Sequence, residues 1–235
     1  MENVFFRLNP NKNGAIGIKS MKTFDIYSAS GQKNLWKVGG RFWGADNVTI
    51  QYGNLTLDDV VITPNTYGVY QSESMLNNPQ LGPLFGKTVE FTVDKGDIER
   101  TVVLQTGLYV PKDIIIYAPL RTTANQVLPL NTQISWNADT NNTKGVYILI
   151  EFDPEDQDNS AFANATSHYQ HNLIHTDDDG SFTLSANDFS DMPSGAKIIL
   201  WVGRCNNVMV DGQEGIVQYA LYSYSIALDH FIVGQ

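Results

Sequence analysis

Apolar and polar residues alternate over short stretches along this chain, and a helical period is almost absent. Strand-like segments fall at residues 24–27, 36–38, 48–52, 60–63, 88–93 and 101–105 in the first half. In the second half they fall at 114–117, 133–136, 146–152, 169–175, 181–184, 197–202, 217–224 and 230–233. β-Branched and aromatic residues dominate them, while Gly, Asn, Asp and Pro fill the gaps. Short helical turns are expected only at 73–76 and 187–192. The pattern predicts an all-β chain made of two consecutive β-sandwich domains. The best boundary is Tyr109-Val110-Pro111-Lys112, because Pro111 cannot donate to a strand ladder and suits a connection between sheets. That assigns residues 1–110 to a first sandwich and 111–235 to a second. The strand order of the first stays open, since Gly39-Gly40 and Gly44 can mark bulges or corners.

At 235 residues, each domain is long enough to bury its own core. Hydrophobic residues make up 42% and aromatic residues 11%, so the chain is not of the disordered class. Fifteen Lys and Arg stand against 25 Asp and Glu, a net charge of −10. A generic nucleic-acid binder needs a basic footprint, so nucleic acid is not an expected partner. Docking on anionic lipid is disfavoured for the same reason. The charge is uneven: up to residue 110 there are 10 basic and 10 acidic residues, and beyond it 5 and 15. Cys205 is the only cysteine, which excludes an intramolecular disulfide and a thiolate zinc cluster. It reads as a small buried hydrophobe at a strand end. No apolar run is long enough to span a membrane. The first residues lack the basic and apolar regions of a signal peptide, so either no secretion signal is used or this is a mature chain.

The run Ile114-Ile115-Ile116-Tyr117-Ala118-Pro119, followed by Thr132-Gln133-Ile134-Ser135-Trp136-Asn137, resembles the opening strands of fibronectin type III and other immunoglobulin-like modules. The resemblance implies that Trp136 packs between the two sheets of domain two, and it covers roughly residues 112–235. The absent cysteine pair excludes antibody-type domains. The stretch from Thr176 to Leu184 resembles an Asp-rich hairpin of extracellular bacterial β-domains. As a whole, the chain resembles two-domain extracytoplasmic proteins of Bacteroidota-type bacteria, often lipoproteins. Its Asn- and Thr-rich strands, the Tyr-Val-Pro boundary and the Trp-Asn-Ala-Asp opening of domain two carry that likeness. It implies a secreted or outer-membrane-surface location, with a signal and a lipid-anchored cysteine upstream of these residues.

Two polar constellations bear on metal chemistry. His168, His171 and His175 fall within eight residues. On a strand, His171 and His175 share one face, and with Asp177 or Asp179 they have the chemistry to hold Zn²⁺ or Cu²⁺. The alternative is an exposed, polar edge strand. The acid-rich stretches around Asp153, Asp156 and Asp158 and around Asp177 and Asp179 offer the several carboxylates that Ca²⁺ needs. An EF-hand frame fails, because Gly180 at its sixth position puts Ala186 where a bidentate Glu is required. A hairpin turn and a solvated loop explain the same residues without an ion. No cofactor is expected apart from this one candidate ion.

The third constellation is aromatic: Trp36, Phe42, Trp43 and Tyr52. An aromatic face beside Asn and Asp stacks on sugar rings while its polar neighbours bind hydroxyls. Alternation sends Phe42 and Trp43 to opposite faces, so one of them belongs to the core. Gly-x-Ser-x-Gly, a phosphate loop and a dinucleotide fingerprint are all absent from the sequence. The sequence therefore points to a non-enzymatic, extracellular or cell-surface module that recognises a glycan or a protein. A structural subunit of a surface or phage-like assembly is the first alternative, and a metal-dependent hydrolase using the His168–His175 stretch is the second.

Overall fold

A computed structural model describes residues 14–24, 32–43, 48–71, 78–152, 171–190, 192, 195–211 and 218–234. Among them the chain is all-β, with several sheets and two 3-10 turns, Pro79–Leu84 and Ala186–Phe189. The strands are β1 (Gly14–Phe24), β2 (Gln32–Trp43), β3 (Thr49–Ile50), β4 (Leu55–Leu57), β5 (Val60–Ile62), β6 (Val69–Gln71), β7 (Lys87–Asp94) and β8 (Val102–Val110). They continue with β9 (Ile116–Ala118), β10 (Val127–Leu128), β11 (Gln133–Trp136), β12 (Val146–Phe152), β13 (His171–Thr176), β14 (Ser181–Thr183), β15 (Lys197–Asp211) and β16 (Gln218–Val233). The expected turn at 187–192 is present as Ala186–Phe189, whereas 73–76 lies outside the described residues.

Two compact units divide the chain. Unit 1 is Met1–Ser20, Leu35–Asp113 and Cys205–Ser225; unit 2 is Met21–Asn34, Ile114–Arg204 and Ile226–Gln235. They are not the consecutive stretches 1–110 and 111–235 that the sequence reading expected. The cause is strand length. β15 and β16 run for 15 and 16 residues, far beyond an ordinary strand, and each is divided between the units. The charge asymmetry survives the regrouping: unit 1 holds 9 basic and 12 acidic residues, unit 2 holds 6 and 13.

Unit 1 has two sheets around one core. The first has the order β15-β16-β1-β2-β3, with β6 also paired to β2. The second has the order β5-β4-β7-β8. Ile16, Ile18, Val38, Phe42, Tyr219 and Leu221 from the first meet Leu55, Leu57, Val89, Phe91, Val93 and Leu104 from the second. Leu81 and Leu84 of the first 3-10 turn add to the same cluster. Against β6, Gly39-Gly40 makes no bulge, and Gly44 lies outside the described residues. β2 pairs with β6 in unbroken register, Gly39 opposite Gln71 and Arg41 opposite Val69. A Cβ on residue 40 would lie 2.4 Å from the Ala15 carbonyl oxygen and 2.7 Å from Ile16 Cα, so glycine is what lets β1 and β2 approach.

In unit 2, β13-β12-β15-β16 form one sheet, with β10 added in parallel to β16. β14-β11-β9 form a second. Ile148, Ile150, Ile198, Leu200, Val202, Phe231 and Val233 pack with Ile134, Trp136, Leu184 and Phe189. Trp136 is 2% exposed, so its ring is core. Its indole N–H donates to Asp178 Oδ1 at 2.9 Å.

Arg204 explains why β15 continues past Val202. Its side chain is fully buried, and its guanidinium binds both Asp178 oxygens at 2.6 and 2.9 Å. It also donates to the Asn137 carbonyl oxygen. Asn142 Nδ2 donates to Asp178 Oδ2 at 2.9 Å and to the Gly145 carbonyl at 2.7 Å. A buried charge is tolerated only when paired and hydrogen-bonded, and this one is both. Burial pushes the Asp178 carboxyl up, but the bonds from Arg204, Asn142 and Trp136 outweigh it and hold the carboxyl below its ordinary value.

Asp178→Asn removes the carboxylate charge that takes two buried Arg204 donors. The expected loss is about 3–5 kcal/mol, read as a lower urea midpoint, while Asp179→Asn changes stability by less than about 0.5 kcal/mol. Because the folded pKa is depressed, the stabilisation is complete above the unfolded value of 3.8 and is lost as pH falls through the lower folded value. The acid limb of stability against pH therefore flattens in Asp178→Asn. An unchanged acid limb sinks this assignment.

Candidate functional site

Alternation along β1, β2 and β16 decides which residues unit 1 turns away from its core. Since Ile16, Ile18, Val38, Phe42, Tyr219 and Leu221 go inward, the alternate positions go outward. On β2 these are Lys37, Gly39, Arg41 and Trp43; on β1, Gly17 and Lys19; on β16, Tyr222 and Tyr224.

Tyr222 reaches across β1 on this outer face. A Cβ on Gly17 would fall 2.0–2.4 Å from three of its ring carbons, so the ring occupies the space a side chain on β1 would take. Its hydroxyl extends to within 3.5 Å of the Gly39 carbonyl oxygen on β2, as donor. The ring thus starts on β16, crosses β1 over Gly17 and ends on β2 at Gly39. A Cβ on Gly39 would meet no atom within 4 Å, so the face is open beside the hydroxyl. Tyr224 is nearly parallel to Tyr222, with ring centroids 6.1 Å apart and 13° between planes. It is buried, and the Lys19 ammonium stands 5.9 Å from its centroid. Arg41 is exposed, with its guanidinium carbon 5.8 Å from the centroid of the half-buried Trp43. A half-exposed aromatic ring beside cations and an open glycine gap offers apolar surface with polar groups at its rim.

The four aromatic residues singled out from the sequence divide between core and surface. Phe42 is fully buried, in edge-to-face contact with Tyr52, Tyr70 and Tyr219 at 5.1, 5.7 and 4.8 Å. Its ring is part of the core and has no face to offer a ligand. Tyr52 rims the same cluster, its hydroxyl 3.1 Å from that of Tyr219. Burial pushes the neighbouring Tyr70 hydroxyl up, and it donates to the Gly53 carbonyl at 2.9 Å. Trp36 packs against the core and donates to Asp113 Oδ2 at 2.8 Å. Trp43 alone of the four stands on the outer face. Sequence reading missed Tyr222, Lys19 and Arg41. The signal was the Tyr-x-Tyr spacing of 222 and 224, which alternation puts on one face, together with a glycine on each neighbouring strand.

Part of the metal candidate set lies among the described residues. Asp153, Asp156, Asp158 and His168 lie outside the described residues, as does the His171 side chain. His175 is exposed, stacked on Tyr147 at 4.6 Å, with Nε2 2.8 Å from the Lys144 carbonyl oxygen. That nitrogen donates to the carbonyl and is not presented to an ion. Asp179 accepts from the Ser181 amide at 3.1 Å in the turn, and Asp177 is exposed beside it. The middle carboxylate, Asp178, is committed to Arg204. Among the described residues no three His, Cys, Asp or Glu side chains are grouped to hold a metal. Cys205 is half-buried, and burial pushes its thiol up to about 11, which keeps it in the unreactive form.

No protein-family model matches the chain, and no curated protein matches it. Among solved structures it is similar to one described as "Ca2+-stabilized adhesin helps an Antarctic bacterium reach out and bind ice". The two share 11% identity and a TM-score of 0.24, and the likeness covers 94% of this chain and 50% of that one. This chain therefore spans half the length of that structure, and a superposition at this level carries no argument about function.

Gly17→Ala drives a methyl group into the Tyr222 ring and costs about 1–3 kcal/mol in chemical denaturation. Tyr222→Ala removes the obstacle, so adding Gly17→Ala to it costs less than about 0.5 kcal/mol. Full additivity of the two changes contradicts the placement of the ring.

Proposed function

We propose that the protein is a non-enzymatic, extracytoplasmic binding module that holds a glycan on the outer face of β1, β2 and β16 in unit 1. One observation carries the reading: the half-exposed Tyr222 ring crosses β1 over Gly17, with its hydroxyl at Gly39 and open space beside it. Pyranose rings have apolar faces edged by hydroxyls, and a half-exposed tyrosine ring offers apolar surface with a polar rim. Tyr67 and Ile98 are exposed apolar side chains on turns, and exposed apolar residues are ordinary on a protein surface.

Unit 2 is proposed as an immunoglobulin- or fibronectin-like scaffold. The support is strand order. With β9, β11 and β14 in one sheet and β12, β15 and β16 in the other, the strands follow the A-B-E and C-F-G arrangement, and β13 extends the second sheet beside β12. Trp136 sits in the core on the second strand of that order. The location outside the cell, with a lipid-anchored cysteine upstream, rests on the likeness to Bacteroidota-type surface lipoproteins.

Retention of the protein on gels containing individual plant and bacterial polysaccharides tests the proposal. The wild-type protein is retarded by at least one glycan. Tyr222→Ala and Trp43→Ala each weaken binding by roughly two- to tenfold, the equivalent of about 0.5–1.5 kcal/mol for one stacked ring. Retention by no glycan overturns the reading, as does binding undiminished in both variants.

A further inference from the structure

We infer that the glycan on this face is polyanionic, its sugar rings carrying carboxylate or sulfate groups. The inference rests on the glycan reading of the same face and adds the substrate's charge.

The protein as a whole repels polyanions, with a net charge of −10. The outer face of unit 1 departs from that balance. Among the described outward positions of β1, β2, β15 and β16 in unit 1, the basic residues are Lys19, Lys37 and Arg41. The one acid is Asp211, at the end of β15, which accepts from Gln218 Nε2 at 3.0 Å. Local charge is therefore concentrated against the global sign, and it is concentrated at the rings. Lys37 and Arg41 stand two residues either side of Gly39, roughly 7 Å away in each direction along the strand. Gly39 is where the Tyr222 hydroxyl ends. A sugar held at the hydroxyl end of Tyr222 thus lies between Lys37 and Arg41 along β2, within reach of an acidic substituent at its edge. Arginine takes a carboxylate or sulfate through paired N–H donors, and the Trp43 ring beside Arg41 offers a second stacking surface for the next sugar. A neutral glycan gains hydrogen bonds from Lys37 and Arg41, and an anionic one gains their charge as well.

Single-stranded nucleic acid shares the combination of stacked bases and backbone charge. Each nucleotide, like each acidic sugar unit, brings one charge, so the glycan assignment rests on the reading of this face proposed above and oligothymidylate is the arm of the test that opposes it.

The test measures affinity by titration calorimetry with matched probes at low salt: polygalacturonate against its methyl ester, dextran sulfate against dextran, and oligothymidylate. The expected result is binding to polygalacturonate or dextran sulfate at least tenfold tighter than to its neutral counterpart. The pair that shows the difference identifies carboxylate or sulfate as the recognised group. Binding weakens as salt rises, and Lys37→Gln with Arg41→Gln loses at least fivefold while the urea midpoint is kept. Lys37→Gln alone gives an intermediate loss. Equal affinity for charged and neutral partners overturns the polyanion assignment and leaves the glycan reading standing. So does affinity unchanged in the Lys37/Arg41 variants. Tighter binding to oligothymidylate than to any sugar overturns both, as does binding to none of the probes together with failure on neutral polysaccharides.

Discussion

Within unit 1, alternate residues of β1, β2 and β16 are committed to the core, and that commitment fixes what the residues between them can do. Once Ile16, Ile18, Val38, Phe42, Tyr219 and Leu221 pack inward, Gly17, Gly39, Arg41, Trp43 and Tyr222 have one remaining side on which to stand. A slip of one residue would reverse both faces. Gly40 guards the inner side by letting β2 run close to β1, and Gly17 guards the outer side by leaving room for the Tyr222 ring. The aromatic face is therefore a consequence of how the core is packed. It needs no mobile loop to form.

Unit 2 answers a different constraint. A strand that carries arginine into a sandwich core must supply its counter-charge, and Asp178 does so from the turn before β14. The same carboxylate receives the Trp136 indole and the Asn142 amide, so one turn residue ties together β11, β15 and the loop before β12. A second ion pair, Arg121 with Asp229 at 2.8 Å, is nearly buried and has the opposite pH sense. Burial holds the Asp229 carboxyl above its ordinary value, so its contribution is complete below the unfolded value and declines as pH rises through the raised one.

The all-β class was legible because alternation and turn residues speak locally. The extent of the long strands was not. Gly203-Arg204 reads as a strand end until Asp178 is known to lie opposite, and the partner is 26 residues away. Read from sequence, 217–224 and 230–233 are two strands, yet β16 is continuous because Ser225, Ala227 and Asp229 between them are buried. Alternation sends Phe42 and Trp43 to opposite faces without saying which is inward, and packing against Tyr52, Tyr70 and Tyr219 makes it Phe42. The neighbours of this segment across the sheet were hidden, since Tyr222 and Gly39 are 183 positions apart. The triple aspartate read as a surface feature, and its middle member is instead the anchor of a core arginine.

The most direct test of the central claim is a backbone and indole NMR map of the protein titrated with a glycan that it retains. The account predicts shifts at Gly17, Lys19, Gly39, Arg41 and Tyr222 and at the Trp43 indole, with Tyr67, Ile98 and Asp177–Asp179 unmoved. Shifts centred on those turns, with the outer face of β1, β2 and β16 unchanged, would contradict it.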